Sequence, residues 1–419
     1  MFMSFLDNDL YKLLMSQFVW YYYPDIEVEY RFINRDSNDL FVGKEELKEE
    51  FDKIINTIPT NDELDYLKQL KHSTFYNSSE KKVFLDSYLK DLKKCTSEIS
   101  SNLYRNSGTI MFSAIDSDDI QYSGPWWLAI LYEVPFLATI SELHTNNILN
   151  SLRSERKLEI GNKNIKNYLA HFARNDYSYS IRFSDFGTRR RSSSEGQEEA
   201  IFQCFHQLPD KNYNLGGTSN VYLARKYNLN PVGTFAHELP MVLAGIAGID
   251  GKDRRETYRV LSDLWFSFYK GAYSILLPDT FGSYFLFDNY PEMVLAWEGI
   301  RHDSGDPYEF GDYYIKLCEN YNIDPMNKVI VFSDSLDFDK MKDIFEYFKR
   351  RIWVTFGIGT KLTHCNGIKP PNIVIKANTA FKHDFGVKLV KLSDEKDKNT
   401  GSPYRIEQYK KIFNRNGEE

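Results

Sequence analysis

Cysteine is scarce in this chain of 419 residues: there are four, at positions 95, 204, 318 and 365. They form no CxxC pair, which argues against a tetrahedral zinc site and against a disulfide framework. Isolated thiols in a long chain suit a reducing compartment. Basic excess is also missing. Lys and Arg number 52 against 59 Asp and Glu, a formal net charge of -7. That balance argues against a general nucleic-acid or membrane-surface binder, so any phosphorylated ligand must be met by local cations or backbone N–H groups. Long apolar runs are lacking too. The longest one noted, Met241–Ile249, falls well short of the roughly 20 residues of a membrane span. The opening MFMSFLDNDLYKLL is interrupted by Asp7 and Asp9 and does not read as a signal peptide. The expectation is a cytoplasmic protein with no nucleic-acid or membrane partner.

What is present is a full core and two rhythms. Hydrophobic residues make up 42% and charged residues 26%, an ordinary globular balance. Residues 1–145 read as one region: a helix with Leu10, Leu14 and Phe18 on one face, an alternating strand at Val28–Ile33, charged helical sequence from Lys44 to Leu92, and an apolar stretch at Ile120–Ile140 with Pro125 and Pro135 as breakers. From Tyr177 short strand-like runs alternate with helices. The strands are expected at Tyr177–Phe183, before Gly217, and at Pro231–Thr234, Tyr273–Asp279, Val294–Arg301, Lys328–Ser333 and Ile352–Phe356. One intervening helix carries Leu261, Leu264, Trp265 and Phe268 on one face, another Phe310, Tyr314, Leu317 and Tyr321, and a third Met341, Ile344, Phe345 and Phe348. Such alternation implies a parallel sheet with helices outside, either open or closed into a barrel. Strand-like Asn372–Ile375 and Val387–Leu392 follow, with a polar, turn-rich loop at Ser393–Pro403. The division expected is 1–145, 146–368 and 369–419.

Polar clusters follow the expected strands, and parallel α/β proteins bind ligands at the carboxyl ends of strands. Asp185-Phe186-Gly187-Thr188-Arg189-Arg190-Arg191 offers forked N–H pairs for an anion, or is a solvated basic turn. Gly216–Asn220 suits a tight turn and a helix cap. In Gly233–Glu238, His237 is either a structural imidazole or a nucleophile toward a phosphoryl group. Glu298–Pro307 packs a cation and carboxylates into one turn, either a ligand site or a capped loop with a surface ion pair. Phe356-Gly357-Ile358-Gly359-Thr360 lets backbone N–H groups approach a phosphate, or is an ordinary turn, and Ser333 sits after the preceding strand.

In their order along the chain these segments resemble the nicotinate phosphoribosyltransferase family. The resemblance runs from DLYK at 9–12 through SGPW at 123–126, EVP at 133–135, FGTRRR at 186–191, GTSN at 217–220, GT-x-AHE at 233–238, RHDSGDP at 301–307, FSDSLD at 332–337 and FGIGT at 356–360 to KPPNIVIK at 369–376 and VKLSD at 390–394. It implies an α/β fold of the type II phosphoribosyltransferases: an irregular α/β barrel beside an N-terminal α/β domain completed by C-terminal strands. It further implies a homodimer, with nicotinate, phosphoribosyl pyrophosphate and ATP as substrates and Mg2+ carried by the polyphosphate. His237 resembles the family's phosphorylated histidine, and Asp303 a contact to ribose hydroxyls or magnesium. Arg301 and Thr234 match positions that hold nicotinate, and Tyr11 and Phe186 match the aromatic walls around the pyridine ring. Arg189 matches an anion contact, and Ser333, Gly357, Gly359 and Thr360 match the ribose 5-phosphate site. No residue is assigned as a metal ligand. One departure stands out: many members carry Gly or Asn where this chain has Ser335, a strained choice if the backbone there needs positive φ. The alternatives are a nicotinamide phosphoribosyltransferase, a shorter-chained quinolinate enzyme, a catalytically inactive nucleotide-binding relative and an unrelated open α/β nucleotide-binding module.

Overall fold

The computed structural model describes residues 2–36, 40–70, 79–101, 111–114, 120–152, 169–170, 180–208, 210, 214–395 and 398–413. Its strands in chain order are β1 (Ile26–Asn34), β2 (Met111–Ala114), β3 (Gln121–Pro125), β4 (Phe183–Asp185), β5 (Leu215–Thr218), β6 (Ile275–Leu276), β7 (Gly299–His302), β8 (Val329–Phe332), β9 (Trp353–Ile358), β10 (Ile373–Lys382) and β11 (Phe385–Lys388). The chain divides into two compact units. The first holds Met1–Pro24, Tyr30–Gly233 and Ile358–Lys376; the second holds Asp25–Glu29, Thr234–Gly357 and Ala377–Glu419.

β1 alternates inward Ile26, Val28, Tyr30 and Phe32 with more exposed residues, as a half-buried strand should. It lies in a five-stranded sheet of order β11-β10-β1-β3-β2, so the C-terminal strand β10 returns to the N-terminal one. In the first unit this shows as Arg35 N donating to Asn372 O at 2.9 Å; in the second, Asn378 Nδ2 donates to Glu29 Oε1 at 2.7 Å.

The first unit is otherwise mostly helical. Residues Leu10–Tyr22 form the expected helix, burying Leu10, Leu14 and Phe18. The charged stretch becomes helices Lys44–Ile55, Asn61–Gln69 and Ser79–Ser101; a Thr60/Glu63 capping box starts the second. The run Trp126–Ser151 is long and apolar enough to cross a membrane, yet its most apolar 18-residue window is buried inside the protein. Reading Met241–Ile249 as the longest apolar stretch missed it, because Pro125 and Pro135 were taken as breakers. Pro135 instead sits in the first turn of helix Glu133–Ser151, where its absent N–H costs nothing.

The second unit carries the strand–helix rhythm. Its parallel strands run side by side in the order β9-β8-β7-β6, with Arg301 of β7 opposite Val331 of β8. Helices Thr257–Tyr269, Pro307–Asn320 and Phe338–Phe348 bury most of the expected stripes, while Leu264 and Phe345 are only half-buried and Tyr321 lies exposed just past the end of the second helix. Asp306 caps the second by accepting from Tyr308 N and Glu309 N, with Pro307 in its first turn.

Some expectations shift. Val294–Arg301 splits: Pro291 starts a helix through Ala296, and β7 begins only at Gly299, where a Cβ would meet Val329 O at 2.2 Å. Pro231–Thr234 makes a single bridge, Thr218 to Pro231, because Pro231 lacks an N–H and Gly233 has φ 155. β6 is cut to two residues between Tyr273, at φ 55, and Pro278. For Tyr177–Phe183, residues 177–179 lie outside the described ones, and β4 begins at Phe183. Val387–Leu392 gives way to β11, with Lys391 bridging Thr400.

Candidate active site

In the second unit several loops after strands converge on one imidazole. His237 sits immediately before helix Glu238–Ile249. Its Nδ1 lies 3.0 Å from Thr280 Oγ1 and 3.6 Å from Asp279 Oδ1, both in the loop after β6. Its Nε2 lies 3.0 Å from Asp303 Oδ2, just past β7, and 2.9 Å from the Lys391 ammonium, beyond β11. One nitrogen cannot donate to Asp303 and accept from Lys391 at the same time. The ammonium favours a lone pair at Nε2, with the proton on Nδ1 shared toward Thr280 and Asp279. Burial holds the imidazole pKa below its ordinary value and Lys391 pushes the same way, while Asp279 and Asp303 oppose them. The ring keeps 17% of its side-chain surface exposed.

The carboxylates around it are anchored. Ser333 Oγ donates to Asp303 Oδ1 at 3.1 Å, and Arg301 Nη2 is 3.5 Å from the same oxygen. Burial would raise the Asp303 pKa, but the Arg301 charge, with His237 and the Lys391 ammonium beside it, outweighs that and holds the group well below the usual carboxylate range. Asp279 is 1% exposed, accepts from Ser304 Oγ at 2.7 Å, and has Lys391 Nζ 3.5 Å from Oδ2. Burial pushes its pKa up; the neighbouring His237 and the Lys391 ammonium bring the net shift downward. Ser393 Oγ donates to Ser304 Oγ at 2.8 Å, and Leu392 N to Thr280 O at 2.7 Å, so the C-terminal segment is tied to the loops that carry the acids. Asp279 Oδ1 and Arg301 Nε are buried with no hydrogen-bond partner among the described residues. His237, Asp279 and Asp303 each offer a ligand atom, all within 4.8 Å of one another. Oxygen donors with one orphaned carboxylate oxygen suit a hard divalent cation such as Mg2+.

The first unit holds the other candidates. Asp185, at the end of β4, accepts from Gly187 N at 2.8 Å, Gln197 Nε2 at 2.8 Å and Thr218 Oγ1 at 2.8 Å. Those bonds do not offset its burial, which pushes its pKa up to about 6. They shape the turn carrying Phe186 and Arg189. The three arginines turn out not to be equivalent. Arg191 is 2% exposed and grips both oxygens of Asp7, at 2.7 and 2.8 Å, and Glu142 Oε1 at 2.7 Å; it is structural. Arg190 is half-buried, and its pKa is lowered to about 10 by burial and then by the neighbouring guanidiniums of Arg189 and Arg35. Arg189 keeps 46% of its side chain exposed. The GTSN stretch is consumed locally: Asn220 caps helix Val221–Tyr227, Thr218 binds Asp185, and Ser219 Oγ donates to Asp9 Oδ1 at 2.8 Å.

Of the residues singled out in the sequence, His237, Asp303, Arg301 and Ser333 come together in the second unit, where Thr234 and Gly357 also belong. Tyr11, Phe186, Arg189, Gly359 and Thr360 belong to the first. There a Cβ on Gly233 would press within 3.0 Å of Tyr11 N, and one on Gly359 within 3.3 Å of Phe186 O. Sequence reasoning missed Asp279, Thr280 and Lys391. Asp279 ends an expected strand, Thr280 follows it and Lys391 lies in VKLSD, so position offered a signal for each. Ser335 does adopt φ 49. Replacing it with glycine removes a Cβ clash of about 1 kcal/mol. Ser335→Gly is expected to raise the thermal midpoint, a net gain of about 0.5–1 kcal/mol. An unchanged or lower midpoint in calorimetry would mean that the left-handed serine is unstrained.

Solved structures share this architecture. A nicotinate phosphoribosyltransferase from Porphyromonas gingivalis aligns with TM-score 0.81 and 27% identity over 99% of this chain and 100% of its own. One from Vibrio cholerae gives TM-score 0.80 and 27% identity over 98% and 94%. The fold is therefore the α/β fold of the phosphoribosyltransferases. A profile of the nicotinate phosphoribosyltransferase family matches residues 181–417, and one of that family's N-terminal domain matches residues 6–141. Relatives named nicotinate phosphoribosyltransferase are 34% identical in Methanococcoides burtonii, over 100% of this chain and 99% of theirs, and 33% identical in Ralstonia nicotianae, over 98% of each. The chain belongs to the nicotinate phosphoribosyltransferase family.

Proposed function

We propose that this protein is an ATP-coupled nicotinate phosphoribosyltransferase of NAD salvage. It joins nicotinate to phosphoribosyl pyrophosphate, giving nicotinate mononucleotide and pyrophosphate, and works as a cytoplasmic homodimer. The observation that carries the reading is the His237 imidazole held with a lysine ammonium 2.9 Å from Nε2 and anchored carboxylates on both sides. A neutral ring nitrogen attacks the γ-phosphorus of ATP; the new N–P bond forms as the bond to ADP breaks, and Lys391 is placed to follow the phosphoryl oxygens. Water later cleaves the phosphohistidine.

The glycosyl step needs little proton transfer, because the nicotinate nitrogen already has a free electron pair. The protein must align two anionic reactants, exclude water and stabilise the departing pyrophosphate. Arg301 and Thr234 are assigned to nicotinate, Tyr11 and Phe186 to the pyridine faces, and Arg189 to an anionic group. Ser333, Gly357, Gly359 and Thr360 are assigned to the ribose 5-phosphate. Asp279 and Asp303 would hold Mg2+, which supplies charge neutralisation for the polyphosphate. Supplying radiolabelled nicotinate, phosphoribosyl pyrophosphate and ATP should yield labelled mononucleotide and one pyrophosphate per turnover. Absence of product, or a clear preference for nicotinamide in competition, would overturn the reading.

A further inference from the structure

Two motifs, Asp9-Leu10-Tyr11-Lys12 and Glu133-Val134-Pro135, contribute only Tyr11 to the chemistry above. The first unit brings them together. The Lys12 side chain has no exposed surface, and its ammonium lies 2.5 Å from Glu133 Oε2. The other oxygen, Glu133 Oε1, lies 3.6 Å from Arg189 Nη1. Glu133 is 9% exposed and starts the buried helix Glu133–Ser151, so its backbone is held by packing. Lys12 Nζ also lies 5.4 Å from the centroid of the Tyr11 ring.

An exposed arginine paired with an exposed carboxylate is loosely held. Here the carboxylate is buried and clamped from behind by a buried ammonium, while Arg189 presents nearly half its surface outward. The ion pair orients the guanidinium, and 46% of the Arg189 side chain remains exposed. We propose that Glu133 is a positioning residue that, clamped by Lys12, aims Arg189 at an anionic group of substrate. This rests on the reading of Arg189 as a substrate contact.

The test compares Glu133→Gln, Arg189→Ala and the combination of both, measuring KM for nicotinate and for phosphoribosyl pyrophosphate separately. Glu133→Gln is expected to raise one of the two KM values about tenfold while kcat stays within about twofold. In the Arg189→Ala background the same change should add nothing, since positioning acts only through the group positioned. A volume-matched Lys12→Met/Glu133→Leu pair removes both buried charges together and keeps the packing; it should fold and show the same raised KM. Unchanged KM values in both variants, or an equal proportional rise in the Arg189→Ala background, would overturn the positioning role. A wild-type protein that makes no mononucleotide would instead overturn the function on which it rests.

Discussion

Replacing His237 with alanine is expected to abolish ATP hydrolysis and the incorporation of acid-labile phosphate from γ-labelled ATP, a loss of at least about 10³-fold, as for other lost nucleophiles. The fold should survive, because each charge that faces the ring keeps another partner. Asp303 retains Arg301 and Ser333. Lys391 retains Asp279, and Asp279 retains Ser304. No buried charge is stranded, which is the usual route to a large folding defect on truncation. Mononucleotide synthesis should persist without ATP at a reduced rate, since alignment of nicotinate with the activated sugar does not use the imidazole as a base. The measurement is product formation with and without ATP beside a phosphate-transfer assay. If ATP still stimulates the alanine variant as it does the wild type, the phosphohistidine does not exist and another residue carries the coupling.

Much of this arrangement was legible in the sequence because strand ends carry their own markers. Asp306-Pro307 announced the helix after β7, and the cap at Asn220 lies where turn chemistry places it. Arg301, Asp303 and Ser333 end successive parallel strands, so alternation alone put them on one edge. The less visible parts depend on long-range pairing. Lys391 lies 154 residues from His237, and although it falls in VKLSD nothing local says that its ammonium reaches that imidazole. The three arginines at 189–191 read as one basic cluster, and only the distant Asp7 and Glu142 show that Arg191 is internal. Helix Pro291–Ala296 escaped because a short apolar run fits a buried strand and a buried helix equally well.

Replacing Arg301 with alanine is expected to raise the KM for nicotinate about 10²–10³-fold, the scale of a buried carboxylate that loses its cation. The guanidinium is 17% exposed and its Nε has no hydrogen-bond partner among the described residues, so it already pays for burial and still has a donor to offer. A planar fork with one unsatisfied N–H beside the Asp303 carboxylate is suited to a second carboxylate, that of the pyridine acid. The alanine variant also deprives Asp303 of its nearest cation, so His237 phosphorylation will suffer as well, and that variant alone does not separate binding from coupling. Arg301→Lys separates them. It keeps a positive charge near Asp303 but cannot form the two-pronged contact, so phosphate incorporation at His237 should stay near wild type while the nicotinate KM still rises. Nicotinamide, with no carboxylate to pair, should bind the lysine variant as it binds the wild type, and the preference between the two pyridines should narrow accordingly. If the nicotinate KM does not move in the lysine variant while phosphorylation fails, Arg301 serves Asp303 alone and the pyridine carboxylate is held elsewhere.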